Sequence, residues 1–184
     1  MLPVHSSSGA NNNQTLVVRH VGPLAHQGEL SVGEFTFPCA LGRSGINRDK
    51  TEGDGSTPVG TFELLNVYYR PDKAVLETTH LPAFALSQND GWCDEADHLA
   101  YNRPVELPFN ASHERMWRED RLYDVVVVLD CNMFPAVPGR GSAIFFHIAR
   151  EGYKPTEGCV AVYPEHMKQI LALVKPGAHM VIEA

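Results

Sequence analysis

Apolar residues in this chain come in short bursts separated by turn-forming stretches. Val125–Leu129 reads VVVVL with no polar alternation, the pattern of a strand buried on both faces. Residues 143–149 (AIFFHIA) predict a second such strand, with His147 near its end. Thr15–His20 (TLVVRH) is a short β-branched run, and residues 29–32 and 34–41, separated by Gly33, predict a hairpin or a bulge. In 59–69 (VGTFELLNVYY) the apolar positions Phe62, Leu64, Val67 and Tyr69 alternate imperfectly, which predicts a bulge near Leu65 and Asn66. Residues 159–162 predict a short strand, and 178–182 a last strand at a sheet edge.

Helical spacing is rare. Met167, Ile170, Leu171 and Val174 recur with helical period, Pro164 suits a first turn, and Lys175-Pro176-Gly177 ends the segment. Residues 112–120 (SHERMWRED) predict a second short helix capped by Ser112. Two stretches, 42–58 and 87–108, are rich in turn formers, and loops of that length are usually functional or disordered. The expectation is a mainly β fold with one or two short helices and long loops. Residues 1–14 (MLPVHSSSGANNNQ) read as a disordered polar lead and 15–184 as a single domain.

Composition narrows the function. The 184 residues carry 15 Lys and Arg against 22 Asp and Glu, a net charge of −7. That balance argues against coating nucleic acid and against adsorption to anionic lipid, both of which need a basic face. No apolar run approaches the roughly 18 residues of a membrane span. The lead lacks the basic and apolar regions of a signal peptide. Four cysteines (Cys39, Cys93, Cys131 and Cys159) are widely spaced with no CxxC, so neither a disulfide scaffold nor a zinc ribbon is indicated. Nine histidines are present without HExxH or HxH spacing, the stretch EGDGS lacks the ligand alternation of a calcium loop, and no GxxxxGK cradles phosphate. Neither a metal nor a cofactor is therefore expected.

The chemistry concentrates in residues 146–162, FHIAREGYKPTEGCVAV. His147 ends one predicted strand and Cys159 begins another, with a Gly/Pro-rich turn between them. Two strand ends joined this way bring an imidazole to a thiol, either taking its proton or pairing with the thiolate as imidazolium. Gly158 lets a substrate carbonyl approach the backbone N–H groups that an oxyanion site requires. A structural reading competes: a Cys at a strand start is often a small buried hydrophobe.

The segment resembles the catalytic motif of the YkuD-type L,D-transpeptidases, a His followed after a loop by Ser/Thr, any residue, Gly, Cys and an apolar residue. Here these are His147, Thr156, Glu157, Gly158, Cys159 and Val160. Upstream, Thr57-Pro58-Val59-Gly60-Thr61-Phe62 is similar to the TPxGxF stretch of the same domains. The resemblance implies a mixed β-sandwich or barrel-like catalytic domain without a cofactor. It implies that the Cys159 thiolate attacks an amide of a peptidoglycan stem peptide, with His147 as base. A thioester acyl-enzyme then passes to an amine on another stem. Gly158 and the Cys159 N–H would line the oxyanion site, and a carbonyl near Ile148 or Ala149 would orient the imidazole. Carbapenem β-lactams are then expected covalent inhibitors, and the bacterial periplasm the expected location.

The chain departs from the family pattern in having Ala161 where many relatives have Arg or Asn, Glu157 in place of His, and His147-Ile148 in place of His-Gly. The donor bond therefore stays open between diaminopimelate and L-Ala. Arg43, Arg140 and Arg150 are candidate readers of stem carboxylates, Arg150 the nearest in sequence to His147. Asn132, Ser142, Tyr153 and Thr156 are polar candidates, and Trp92, Tyr101 and His113 belong to a stretch expected to form a lid or cleft wall. Two other functions remain open: a carboxypeptidase or amidase using water as acceptor, and a non-catalytic cell-wall-binding β module that has lost the group at position 161.

Overall fold

The computed structural model describes residues 15–74, 76 and 78–184; the 1–14 lead lies outside the described residues. The chain opens with an antiparallel meander of β1 (Thr15–His20), β2 (Gln27–Val32) and β3 (Phe35–Ala40), its second turn made at Gly33 with φ 58°. The 42–58 stretch holds a small parallel pair, β4 (Ile46–Asn47) and β5 (Thr57–Pro58). A long strand, β6 (Gly60–Tyr69), then pairs on one edge with β7 (Ala83–Ala85). Next come β8 (Asp90–Cys93), β9 (Pro104–Glu106) and β10 (His113–Arg115), then β11 (Val125–Leu129), β12 (Phe145–Ile148) and β13 (Val160–Val162). The helix α1 (Pro164–Leu173) and the strand β14 (His179–Ile182) complete the fold.

The main sheet runs β11-β12-β13-β3-β2-β1-β14-β6-β7, and β6 also pairs with β11, so eight of these strands close into a ring. Closure removes the exposed edges that an open sheet leaves. It also answers why 178–182 is not an edge strand: β14 runs parallel to β1 and antiparallel to β6. The register of β6 on β11 slips between Asn66 and Leu64, leaving Leu65 as the bulge that the broken alternation predicts.

Strand β11 needs apolar residues at every position because it is covered twice. Val125, Val127 and Leu129 join the main core with Leu16, Leu30, Phe146 and Val160. Val126 and Val128 belong to a second cluster with Trp92, Met116, Tyr123 and Phe145. Each such side chain, taken fully out of water, contributes about 1.5–3 kcal/mol. Helix α1 places Met167, Ile170 and Leu171 on the main core.

The second cluster exists because 87–108 is not a plain loop. Strands β8, β9 and β10 form a three-stranded sheet, order β10-β8-β9, laid over β11 and β12. Its Trp92 meets Phe145 edge to face, ring centroids 5.0 Å apart. Residues 112–120 accordingly contain a strand instead of the predicted helix: His113, Glu114 and Arg115 pair with Cys93, Trp92 and Gly91. Met116 and Trp117 are adjacent, not three or four apart, so no apolar helical stripe opposes that pairing. Among the described residues, no helix is long and apolar enough to cross a membrane.

Candidate active site

Strand parity decides which side chains reach the site. Strands β12 and β13 are parallel, with Phe146 opposite Val160 and His147 opposite Ala161. Phe146, Ile148, Val160 and Val162 point into the main core. Phe145, His147 and Cys159 therefore take the other face, beneath the three-stranded sheet. Cys159 packs in the second cluster, and the His147 ring meets Tyr123 edge to face at 5.4 Å. A one-residue slip of β13 would send Cys159 into the barrel core. Ala161, opposite His147, is fully buried.

His147 and Cys159 open into one cleft of about 520 Å³, whose far wall carries His113, Glu114, Arg115 and Arg118. The His147 Nδ1 lies 2.9 Å from the Ile148 carbonyl oxygen. A carbonyl only accepts, so Nδ1 carries the proton and Nε2 keeps its lone pair. Burial, with help from the Arg118 and Arg150 charges, pushes the imidazole down to about 4, so it is neutral near pH 7. The Cys159 thiol donates to the Ala143 carbonyl at 3.3 Å and accepts from the Phe145 N–H at 3.3 Å. Burial above all, then the nearby Glu114 carboxylate, pushes it up to about 12. The resting pair is thus thiol and neutral imidazole, not the thiolate–imidazolium alternative of the sequence reading.

The turn before Cys159 is tightly specified. Gly158 has φ 135°, and a Cβ there would lie 2.8 Å from the Ser56 carbonyl oxygen. Thr156 Oγ1 accepts from the Gly158 N–H at 3.2 Å and donates to the Cys159 carbonyl at 2.7 Å. The Gly158 N–H is thereby engaged within the turn.

Of the other sequence candidates, Arg150, Ser142, Thr156 and His113 line the cleft. Arg43 does not line the cleft but pairs with Glu157, which does, and Arg140 is exposed and not part of the lining. Asn132 ties its own loop, bonding Val137 and Gly141. Tyr153 stacks on Tyr163 at 4.2 Å and bonds His166. Trp92 and Tyr101 are buried, and Tyr101 donates to Glu52 at 2.5 Å. Cys93 has its thiol raised first by burial and then by the Asp94 and Glu95 charges. Among the described residues all four cysteines are free, and no three His, Cys, Asp or Glu side chains gather as metal ligands.

Sequence reasoning missed four positions. Asn102, 1% exposed, accepts from Trp92 Nε1 at 2.9 Å and from the Ala143 N–H at 3.1 Å. It holds Ala143 at φ 51°, and so fixes the carbonyl that receives the Cys159 thiol. Glu114 accepts from the Tyr123 hydroxyl at 2.7 Å, and Arg118 grips Asp120 with two bonds of 2.8 Å. Lys50 is buried beside Gly158 and pairs with Asp54. Only Lys50 had a signal, its place in the run that ends in TPxGxF; the others are brought in by the inserted sheet.

Solved structures with a similar fold are L,D-transpeptidases from Mycobacterium tuberculosis H37Rv and Mycobacterium smegmatis. The first is 12% identical over 92% of this chain and 57% of its own, with a TM-score of 0.44. The second is 14% identical over 92% of this chain and 58% of its own, with a TM-score of 0.43. The chain thus spans just under three-fifths of the length of either. No curated protein matches it in sequence. Residues 25–182 match the YkuD family profile, the L,D-transpeptidase catalytic domain, and the chain belongs to that family.

Proposed function

We propose that residues 15–184 form a single catalytic unit that crosslinks peptidoglycan as a cysteine-dependent L,D-transpeptidase of the bacterial envelope, in the periplasm. The observation that carries the reading is the placement of His147 and Cys159 on one face of adjoining parallel strands, both opening into the same cleft. Family membership supports it.

In this mechanism the stem-peptide amide enters between β12 and the inserted sheet. The Cys159 thiol proton moves to His147 Nε2 as Sγ bonds to the amide carbon. Neutral imidazole is the competent base, and its Nδ1–H bond to Ile148 holds it in the right tautomer. The carbonyl π pair moves onto oxygen, facing the Cys159 N–H. Collapse breaks the C–N bond, and the leaving amine takes the proton back from His147. A second amine then attacks the thioester carbon and gives its proton to His147; the C–S bond breaks and Sγ takes that proton from His147. Arg150, Arg115 and Arg118 line the cleft and suit the stem carboxylates. Ser142, Thr156 and His113 also line it, as candidate polar contacts. The donor is diaminopimelate or L-Ala, and carbapenems are expected to acylate Cys159.

Tandem mass spectrometry of products from disaccharide-tetrapeptide, with wild type and Cys159→Ala in parallel, tests the proposal. Crosslinked dimers made only by wild type support it. Released D-Ala then marks attack at diaminopimelate, and a longer released peptide marks attack at L-Ala. Shortened monomers alone would make the protein a hydrolase. Neither product nor acyl adduct would leave a binding module.

A further inference from the structure

The Gly158 N–H, beside the Cys159 N–H, is taken by Thr156. Preorganised donors aimed at the developing charge are usually the largest catalytic term in acyl transfer. A buried cation of the cleft lining that the mechanism leaves without a role is Lys50. It is 7% exposed, lines the cleft with Cys159, and its Nζ lies 3.6 Å from the point a Gly158 Cβ would occupy. Gly141 makes room for its stem, since a Cβ there would sit 3.1 Å from Lys50 Cγ and Cε.

The ammonium is held, not loose. Nζ donates to the Thr51 carbonyl at 3.0 Å and to Asp54 Oδ1 at 2.5 Å. Asp54 is itself pinned by the Thr51 N–H, the Ser56 N–H and the Ser56 hydroxyl, at 2.9, 2.8 and 2.7 Å. An ammonium has three N–H donors, and among the described residues Nζ meets two acceptors. That leaves one N–H without an acceptor among the described residues, on a side chain that lines the cleft. A purely structural ion pair has no need to border the cleft at the Gly158–Cys159 turn.

We infer that Lys50 is a catalytic residue, its ammonium donating the second hydrogen bond to the tetrahedral oxyanion formed when Cys159 is acylated. The inference rests on the acyl-transfer reading above. When Sγ adds to the carbonyl carbon, the π pair moves to oxygen and that oxygen accepts the free Nζ–H. When the C–N bond breaks, the pair returns and the bond to Lys50 weakens. Asp54 and Thr51 keep the ammonium in place, so little reorganises during the reaction.

Two reactions of the same thiol separate this role from a structural or thiolate-stabilising one. Acylation of Cys159 by p-nitrophenyl acetate passes through an oxyanion: S–C forms, C–O breaks and nitrophenolate leaves. Alkylation by iodoacetamide displaces iodide with no oxyanion. Anything that changes thiolate population or access moves both rates; loss of the oxyanion donor moves only the first. Rates are read by mass spectrometry of the Cys159 peptide at pH 8. Lys50→Met should lower the ratio of acylation to alkylation about 100-fold, and Lys50→Arg should restore part of it. If Lys50→Met does not fold, Lys50→Met with Asp54→Asn, which leaves no unpaired carboxylate, is read the same way. An unchanged ratio overturns the inference, as does a wild-type Cys159 that p-nitrophenyl acetate leaves unmodified. A wild type that crosslinks stem peptides while Lys50→Met keeps its ratio refutes Lys50 alone. A falling ratio in an enzyme that ignores stem peptides refutes the transpeptidase reading alone.

Discussion

Protonating His147 should destabilise the fold as well as stop the chemistry. The ring is 5% exposed, packed against Tyr123, and near the Arg118 and Arg150 charges. In the unfolded chain a histidine titrates near 6.5, and in the fold His147 is held down to about 4. Because the folded value is depressed, the unfolded chain binds the extra proton first as pH falls. Stability from this residue is fully present above about pH 6.5 and is lost progressively as pH falls to about 4. A gap of about 2.5 at about 1.36 kcal/mol per pH unit amounts to ~3 kcal/mol. Urea unfolding of wild type and His147→Gln at several pH values between 7 and 4 isolates it. Glutamine does not titrate, so every other group cancels in the comparison. Wild type should lose about 3 kcal/mol more than the variant across that range. Under the proposed mechanism, in which His147 is the base, the acid limb of kcat/KM should fall near pH 4. Parallel stability curves, or an acid limb near 6.5, would refute a buried neutral base.

The remaining predictions concern the supports of the site. Asn102→Ala leaves the Trp92 and Ala143 N–H groups unpaired in a buried setting and should lower stability by about 2–4 kcal/mol, measured by urea unfolding. Gly158→Ala places a Cβ 2.8 Å from the Ser56 carbonyl at a φ of 135°, so turnover should fall below a tenth of wild type with the fold retained by circular dichroism. Phe146→Ala empties a fully buried ring site in the barrel core and should reduce stability by about 3–5 kcal/mol. The Cys159 thiol, raised to about 12, should react with iodoacetamide slowly at pH 7, and about tenfold faster for each pH unit up to pH 9; a pH-independent rate would mean a standing thiolate.

Much of the barrel was legible along the chain because its cause is local. The run VVVVL of β11 must be covered on both faces, the broken alternation of β6 must bulge, and Met167, Ile170 and Leu171 must make one helical face. That His147 and Cys159 lie at adjoining strand ends and line one cleft was also readable, since two strand ends joined by a Gly/Pro-rich turn are neighbours by chain geometry. What the sequence could not hold is the identity of distant neighbours. The 112–120 segment has the composition of a capped helix, yet its backbone N–H and C=O groups pair with β8, and that pairing exists only after folding. The last strand reads as an edge because nothing local says that β1 and β6 will flank it. The titration of the site belongs to the tertiary structure as well. A Cys–His pair by itself admits either an ion pair or a neutral pair. The inserted sheet and Tyr123 bury both groups, burial disfavours both charges, and the neutral pair follows.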